Sequence, residues 1–142
     1  MTESAYFTTL PNRGFIRVSG PDRRAFLQGL ISNDINLLDG QNSIYACLLT
    51  PQGKFLFDFF ATEKDEVITL DCEGGARAED LSKKLSMYKL RADVKIVCEK
   101  DVPVYAGNFS GGYPDPRHPD MGVRSFTKPG AAEKPFETWD HK

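Results

Sequence analysis

The sequence predicts an α+β fold, an antiparallel-leaning sheet with two helices packed on one face, ferredoxin-like in arrangement. Three observations lead there. Residues 43–73 contain three β-rich runs parted by turn signals, PQG at 51–53 and EKDE at 63–66. Two stretches carry apolar residues at helical spacing, and they interleave with the strands instead of forming a block of their own. At 142 residues with 40 % hydrophobic and 27 % charged content, the chain has the material for one core.

The elements follow in order. In RGFIRV, Ile16 and Val18 alternate with Arg17, the period-2 pattern of a half-buried strand near 13–19. SGPDRRAFLQGLIS then sets Phe26, Leu27, Leu30 and Ile31 on one helical stripe. Pro21 suits the first turn and Ser19 or Gly20 the cap, so a helix is expected near 21–31. In the meander that follows, GKFLFDFFA is apolar on both faces, Phe55, Phe57 and Phe59 on one and Leu56 and Phe60 on the other, as in a central strand. Leu81, Leu85 and Tyr88 make a second amphipathic helix over about 76–90, and strands near 94–98 and 102–106 complete the sheet.

Beyond residue 107 the texture changes to Gly and Pro, in GNFSGGYPDPRHPDMG. The expected organisation is an α+β domain over 1–106, followed over 107–142 by a loop, a short strand within 121–127 and the start of a linker helix in AEKPFETWDHK. Because that last run stops at Trp139 and its neighbours without a cap, the chain is expected to continue in the whole protein.

Composition removes several function classes. A net charge of −2 with no run of like charges offers no footprint for a phosphate backbone or an anionic membrane, so neither direct nucleic-acid binding nor membrane association is expected. Cys47, Cys72 and Cys98 are scattered, and with His118 and His141 they form no metal-ligand spacing. No metal is expected, and the thiols read as free and buried. The opening MTESAYFTTL has neither an apolar run nor an Arg-rich pattern, which fits a cytoplasmic protein or an already trimmed one.

Asp58 stands out among the residues that carry chemistry, because it shares a strand face with Leu56 and Phe60 and is expected to be partly desolvated there. It is either a ligand or proton-transfer group for a polar heterocycle, or the acceptor of a local backbone or arginine contact. Tyr45 and Cys47 on the preceding strand, and Thr69 and Asp71 on the following one, join Asp58 on one platform if the register allows. That mixture stacks a flat ring and fixes its polar edge, although Asp71 alone reads as a strand-end turn residue. Arg91, Arg117 and Arg124 have guanidinium groups suited to carboxylates. Asn33 and Asp34 read as a turn and cap device, His118 has no triad partner in sequence, and GGYP at 111–114 lacks the ending of a phosphate loop.

Three segments in order, RGFIRVSGPDRRAFLQGLISNDINLL at 13–38, LLTPQGKFLFDFFA at 48–61 and DPRHPDMGVR at 115–124, resemble the YgfZ/GcvT-like folate-binding family, which is related to the glycine-cleavage aminomethyltransferase. The YgfZ-type and mitochondrial iron–sulfur assembly members are the more similar. The resemblance implies tetrahydrofolate as cofactor, with Asp58 at the position of the pterin-contacting, catalytic aspartate, Tyr45 as a pocket tyrosine, and Phe60 and Thr69 as apolar contacts. Asp71 stands where the enzyme has asparagine and Arg13 where it has methionine; both are carried over as cofactor-binding positions. Phe57 replaces the first of two consecutive aspartates, which sets the chain apart from the true aminomethyltransferases.

The family's Lys-Gly-Cys-x-x-Gly-Gln-Glu motif is absent, so the chain is expected to supply the first wall of a three-domain ring. The function implied is support of iron–sulfur cluster assembly or repair, with client or assembly proteins as partners and tRNA modification among the processes served. The alternative is a tetrahydrofolate-dependent aminomethyl or one-carbon transferase. The compartment implied is the cytoplasm, or the mitochondrial matrix in a eukaryote.

Overall fold

A computed structural model of the chain describes residues 5–40, 42–117 and 122–134. The elements run β1 (Tyr6–Ser19), α1 (Arg23–Gln28), a 3-10 turn (Ile35–Leu37), β2 (Ile44–Leu49), β3 (Phe55–Lys64), β4 (Val67–Glu73), α2 (Ala76–Lys89), β5 (Lys95–Asn108), β6 (Tyr113–Pro114), β7 (Val123–Ser125) and β8 (Ala132–Glu133). They form two compact units, Asn12–Val102 and Met1–Pro11 with Pro103–Lys142.

In the Asn12–Val102 unit the strands lie in the order β2-β3-β4-β1-β5, and the pairs β2/β3, β3/β4 and β1/β4 are antiparallel. One sheet face carries Ile16, Val18, Ala46, Leu48, Phe57, Phe59, Ala61, Ile68 and Leu70. These pack with Leu27 of α1 and with Ala78, Leu81 and Leu85 of α2 into a single core cluster. Both helices therefore lie on that face, as the sequence predicts. Each fully buried large side chain there contributes about 1.5–3 kcal/mol of transfer free energy. Asp65 and Glu66 both take positive φ between Lys64 and Val67, the two-residue hairpin turn whose twist matches its flanking strands.

Several expectations are corrected. The helix expected over 21–31 is only Arg23–Gln28, because Gly29 caps it and Ile31 leaves to make a β-bridge with Leu48. Its N-cap is Asp22, not Ser19 or Gly20, and the Asp22 carboxylate accepts from the Asp93 backbone at 2.8 Å instead of closing the helix. Gly20 has another duty: at φ +109° a Cβ would collide with the Asp93 carbonyl. The strand expected near 13–19 begins at Tyr6, and the two expected near 94–98 and 102–106 are one strand, β5.

In the other unit β7 pairs with the C-terminal part of β5 and with β6, while β8 pairs parallel to the start of β1 through Tyr6↔Ala132 and Phe7↔Glu133. Phe7 is buried and meets Tyr105 edge-on at 5.6 Å. The strand expected within 121–127 is β7, and the Gly/Pro-rich stretch also contributes β6. The linker helix expected from 132 lies mostly outside the described residues, and its first two residues form β8. Among the described residues no helix is long and apolar enough to cross a membrane.

Candidate functional site

The candidate site lies on the other sheet face of the Asn12–Val102 unit. Strand alternation sends Tyr45, Asp58, Phe60, Thr69 and Asp71 there, and the register sets them side by side. Tyr45 is opposite Phe60, Cys47 opposite Asp58, Phe60 opposite Asp71, and Thr62 opposite Thr69. On β1, Phe15 is opposite Asp71 and Arg17 opposite Thr69, so Arg13, Phe15 and Arg17 extend the same face.

The Tyr45 hydroxyl donates a hydrogen bond to Asp58 Oδ2, and the Tyr45 and Phe60 rings lie tilted at a centroid distance of 5.3 Å. The side-chain amide of Asn33 donates to the Tyr45 carbonyl at 3.0 Å, which ties the loop after α1 to this strand. Asp58 is exposed. The desolvation expected of it is corrected, because the strand is apolar on its helix face but reaches solvent at this position.

Arg13 donates from Nε to Asp71 Oδ1 at 2.8 Å and from Nη2 to the Asp71 carbonyl at 3.0 Å. Asp71 is fully buried and Arg13 is 22 % exposed. Asp71 sits inside β4, so the strand-end turn reading fails. Two of the three positions that set the sequence apart from the resembled aminomethyltransferase pattern, Arg13 and Asp71, are thus one ion pair. Phe60 and Thr69 are each 6 % exposed, so with Asp71 they form a floor, and the accessible groups are Asp58, half-buried Tyr45 and Arg13. Phe57 belongs to the helix side, where the Arg77 guanidinium lies 4.0 Å from its ring centroid.

The remaining candidates fall elsewhere. Asp34 caps the 3-10 turn by accepting from the Asn36 backbone at 2.9 Å, and Asn33 accepts from the Asp34 backbone at 2.7 Å, the turn device predicted. Arg91 is exposed. Arg117 binds Asp115 through Nε at 3.1 Å and Nη2 at 2.8 Å. Burial pushes the Asp115 carboxyl up, but Arg117 outweighs it and holds the group below its ordinary value. Arg124 is buried in β7, and His118 lies outside the described residues. Only Cys72 is a buried thiol, pushed by that burial up to about 12, while Cys47 and Cys98 are half-buried, a correction to the expectation for all three. Among the described residues no group of His, Cys, Asp and Glu could hold a metal.

Sequence reasoning missed Glu63, which accepts from Arg23 at 2.7 Å and from Arg24. Burial raises its carboxyl, yet Arg24 and Arg23 together hold it below the ordinary value of 4.5. The partners lie some forty residues apart, and no local spacing reports such a contact.

A mostly antiparallel sheet with both helices packed on one face is an α+β fold. The fold is that of a solved structure, glycine cleavage system aminomethyltransferase T from Bartonella henselae, with TM-score 0.62, 19 % identity, and coverage of 72 % of this chain and 28 % of that one. No protein-family model matches the chain. Sequence relatives include the iron–sulfur cluster assembly factor IBA57 homolog, mitochondrial, of Pyricularia oryzae, 29 % identical over 93 % of this chain and 38 % of the relative. The mouse iron–sulfur cluster assembly factor IBA57, mitochondrial, is 32 % identical over 68 % of this chain and 31 % of its own length. The chain belongs to the GcvT/YgfZ-like family, on its iron–sulfur assembly side. It spans 38 % and 37 % of the two fungal relatives matched over most of its length.

Proposed function

We propose that this chain supplies the pterin-contacting wall of a tetrahydrofolate-binding protein that supports iron–sulfur cluster assembly or repair in the mitochondrial matrix. The observation that carries the reading is the exposed Asp58 carboxylate, held by the Tyr45 hydroxyl on a sheet face floored by the Phe60 ring. The amino and ring N–H groups along one edge of a pterin are donors, and a carboxylate accepts two parallel N–H bonds; Asp58 fits that edge. Tyr45 orients the carboxylate, while Phe60 and Thr69 shape the floor. The Arg13–Asp71 pair fixes β1 against β4 at the margin of the site. The folate supplies one-carbon chemistry when bound; the chain's residues bind and orient it.

The assembly role draws on the relatives' names, and the folate role on the site and the family likeness. The organisation proposed with it keeps residues 1–106 as the folate-binding-like part and 107–142 as a connecting segment. Partners in this reading are assembly proteins and cluster-containing clients, tRNA-modifying enzymes among them. Anaerobic calorimetry of tetrahydrofolate with the full-length protein and with its Asp58→Ala variant tests the site. Losing a charge-assisted pair of hydrogen bonds weakens binding by roughly 10- to 100-fold. Equal affinity in the variant, or no binding by the parent, removes the folate reading.

A further inference from the structure

A groove of about 320 Å³ separates the start of β3 from one flank of α2, lined by Leu56, Phe57, Arg77, Asp80, Lys83, Lys84 and Met87. Its lining carries three cations against one carboxylate, in a chain whose net charge is −2. The floor is apolar, with Phe57 buried and Leu56 half-buried, and Met87 stands 65 % exposed at the rim. Phe55, 58 % exposed, neighbours Leu56 on the strand.

Arg77 distinguishes this groove from a chance depression. Its guanidinium lies over the Phe57 ring at 4.0 Å, and its Nη2 donates to the Leu56 carbonyl at 2.6 Å. Among the described residues no acidic side chain forms an ion pair with Arg77, so a rigidly held cation keeps further N–H donors for a carboxylate. Lys84 follows seven residues on, about 10 Å further along the helix axis. Two carboxylates four residues apart on an extended strand share one face about 13 Å apart, a span that the flexible lysine stem closes, and the residue midway between them shares that face. Methionine at the rim adapts its shape to an apolar neighbour.

We propose that this groove docks an acidic segment of a partner protein, in which two carboxylates meet Arg77 and the Lys83–Lys84 pair while an apolar side chain between them packs on Leu56 and Met87. The proposal does not depend on folate binding.

The probe is a synthetic peptide repeating Glu-Ser-Leu-Ser, which puts Glu and Leu on one strand face, titrated into the isotopically labelled chain and followed by amide chemical shifts, with its Gln-for-Glu counterpart and inorganic phosphate as comparison ligands. The expected result is shifts concentrated at residues 56, 57, 77, 84 and 87. Affinity should drop at least tenfold for the K83E/K84E variant and again for Arg77→Gln, and the Gln peptide should bind at least tenfold more weakly. Unchanged melting temperatures of the variants show that the loss is not unfolding. Equal binding of the Gln peptide or of the K83E/K84E chain, shifts located elsewhere, or phosphate producing the same shifts at the same concentration would overturn the proposal. So would concentration-dependent dimerisation abolished by K83E/K84E, because the occupant would then be a second copy of the chain.

Discussion

Replacing Arg13 by methionine takes its ion-pair partner away from the buried Asp71 carboxylate. Asp71 is fully buried and its partner is 22 % exposed, so solvent can reach the vacated position only in part. Breaking a buried pair from one side costs on the order of 3–5 kcal/mol, and the partial exposure of Arg13 places this case near the lower end, about 3 kcal/mol. For a chain of this size that corresponds to roughly 10 °C in melting temperature. Asp71→Asn alone removes the charge but keeps an acceptor for Arg13, and costs about 1–2 kcal/mol. The double variant, Arg13→Met with Asp71→Asn, sets the aminomethyltransferase pair into this sheet and should return to within about 1 kcal/mol of the parent. The coupling from the cycle is then about 3–5 kcal/mol. Urea unfolding of the four proteins at neutral pH measures it. Additive single effects, with coupling below about 0.5 kcal/mol, would refute the claim that the two departures compensate each other.

Two further outcomes follow from charge and burial. Glu63 is held below its ordinary value of 4.5, so its stabilisation is complete above that value and is lost as pH falls through the depressed folded value. Glu63→Gln should cost about 2 kcal/mol near pH 7 and flatten the acid limb of a urea-midpoint titration below the ordinary value of 4.5. An unchanged acid limb would show that the arginines act without it. With its thiol raised to about 12, Cys72 should stay unmodified by a disulfide reagent at pH 8 in the folded chain, whereas Cys47, half-buried on the open face, reacts. Mass spectrometry of the labelled protein decides it, and early labelling of Cys72 would mean that β4 opens locally.

Period and turn chemistry made the central meander and α2 legible, because each is a local signal: alternation through Phe55–Lys64, the turn at Asp65 and Glu66, and Leu81 and Leu85 four apart. The errors arose where a tertiary partner overrode local punctuation. The alternation in RGFIRV marks a strand only near 13–19, yet β1 starts at Tyr6 and passes through Pro11 and Asn12, with Asn12 at positive φ. The strands expected near 94–98 and 102–106 run on as one, because the chain stays extended through residues 99–101 within β5. The helical stripe of Leu30 and Ile31 gave way because Ile31 gains a strand partner in Leu48. At the site, alternation correctly grouped Tyr45, Asp58, Phe60, Thr69 and Asp71 on one face. It could not report that Arg13 crosses to Asp71, nor that Asp58 reaches water while Thr69 and Asp71 are buried.

The brevity of α1 sets an order of assembly. Six residues are too few to hold a helix in isolation, since nucleation consumes most of a turn before any hydrogen bond rewards it. What holds these six is Leu27 in the core and the double grip of Glu63 on Arg23 and Arg24, and both exist only after β3 has met its neighbours. Residues 23–28 must therefore coil late, on a sheet already paired, and substitutions there should quicken unfolding while leaving the folding rate almost untouched.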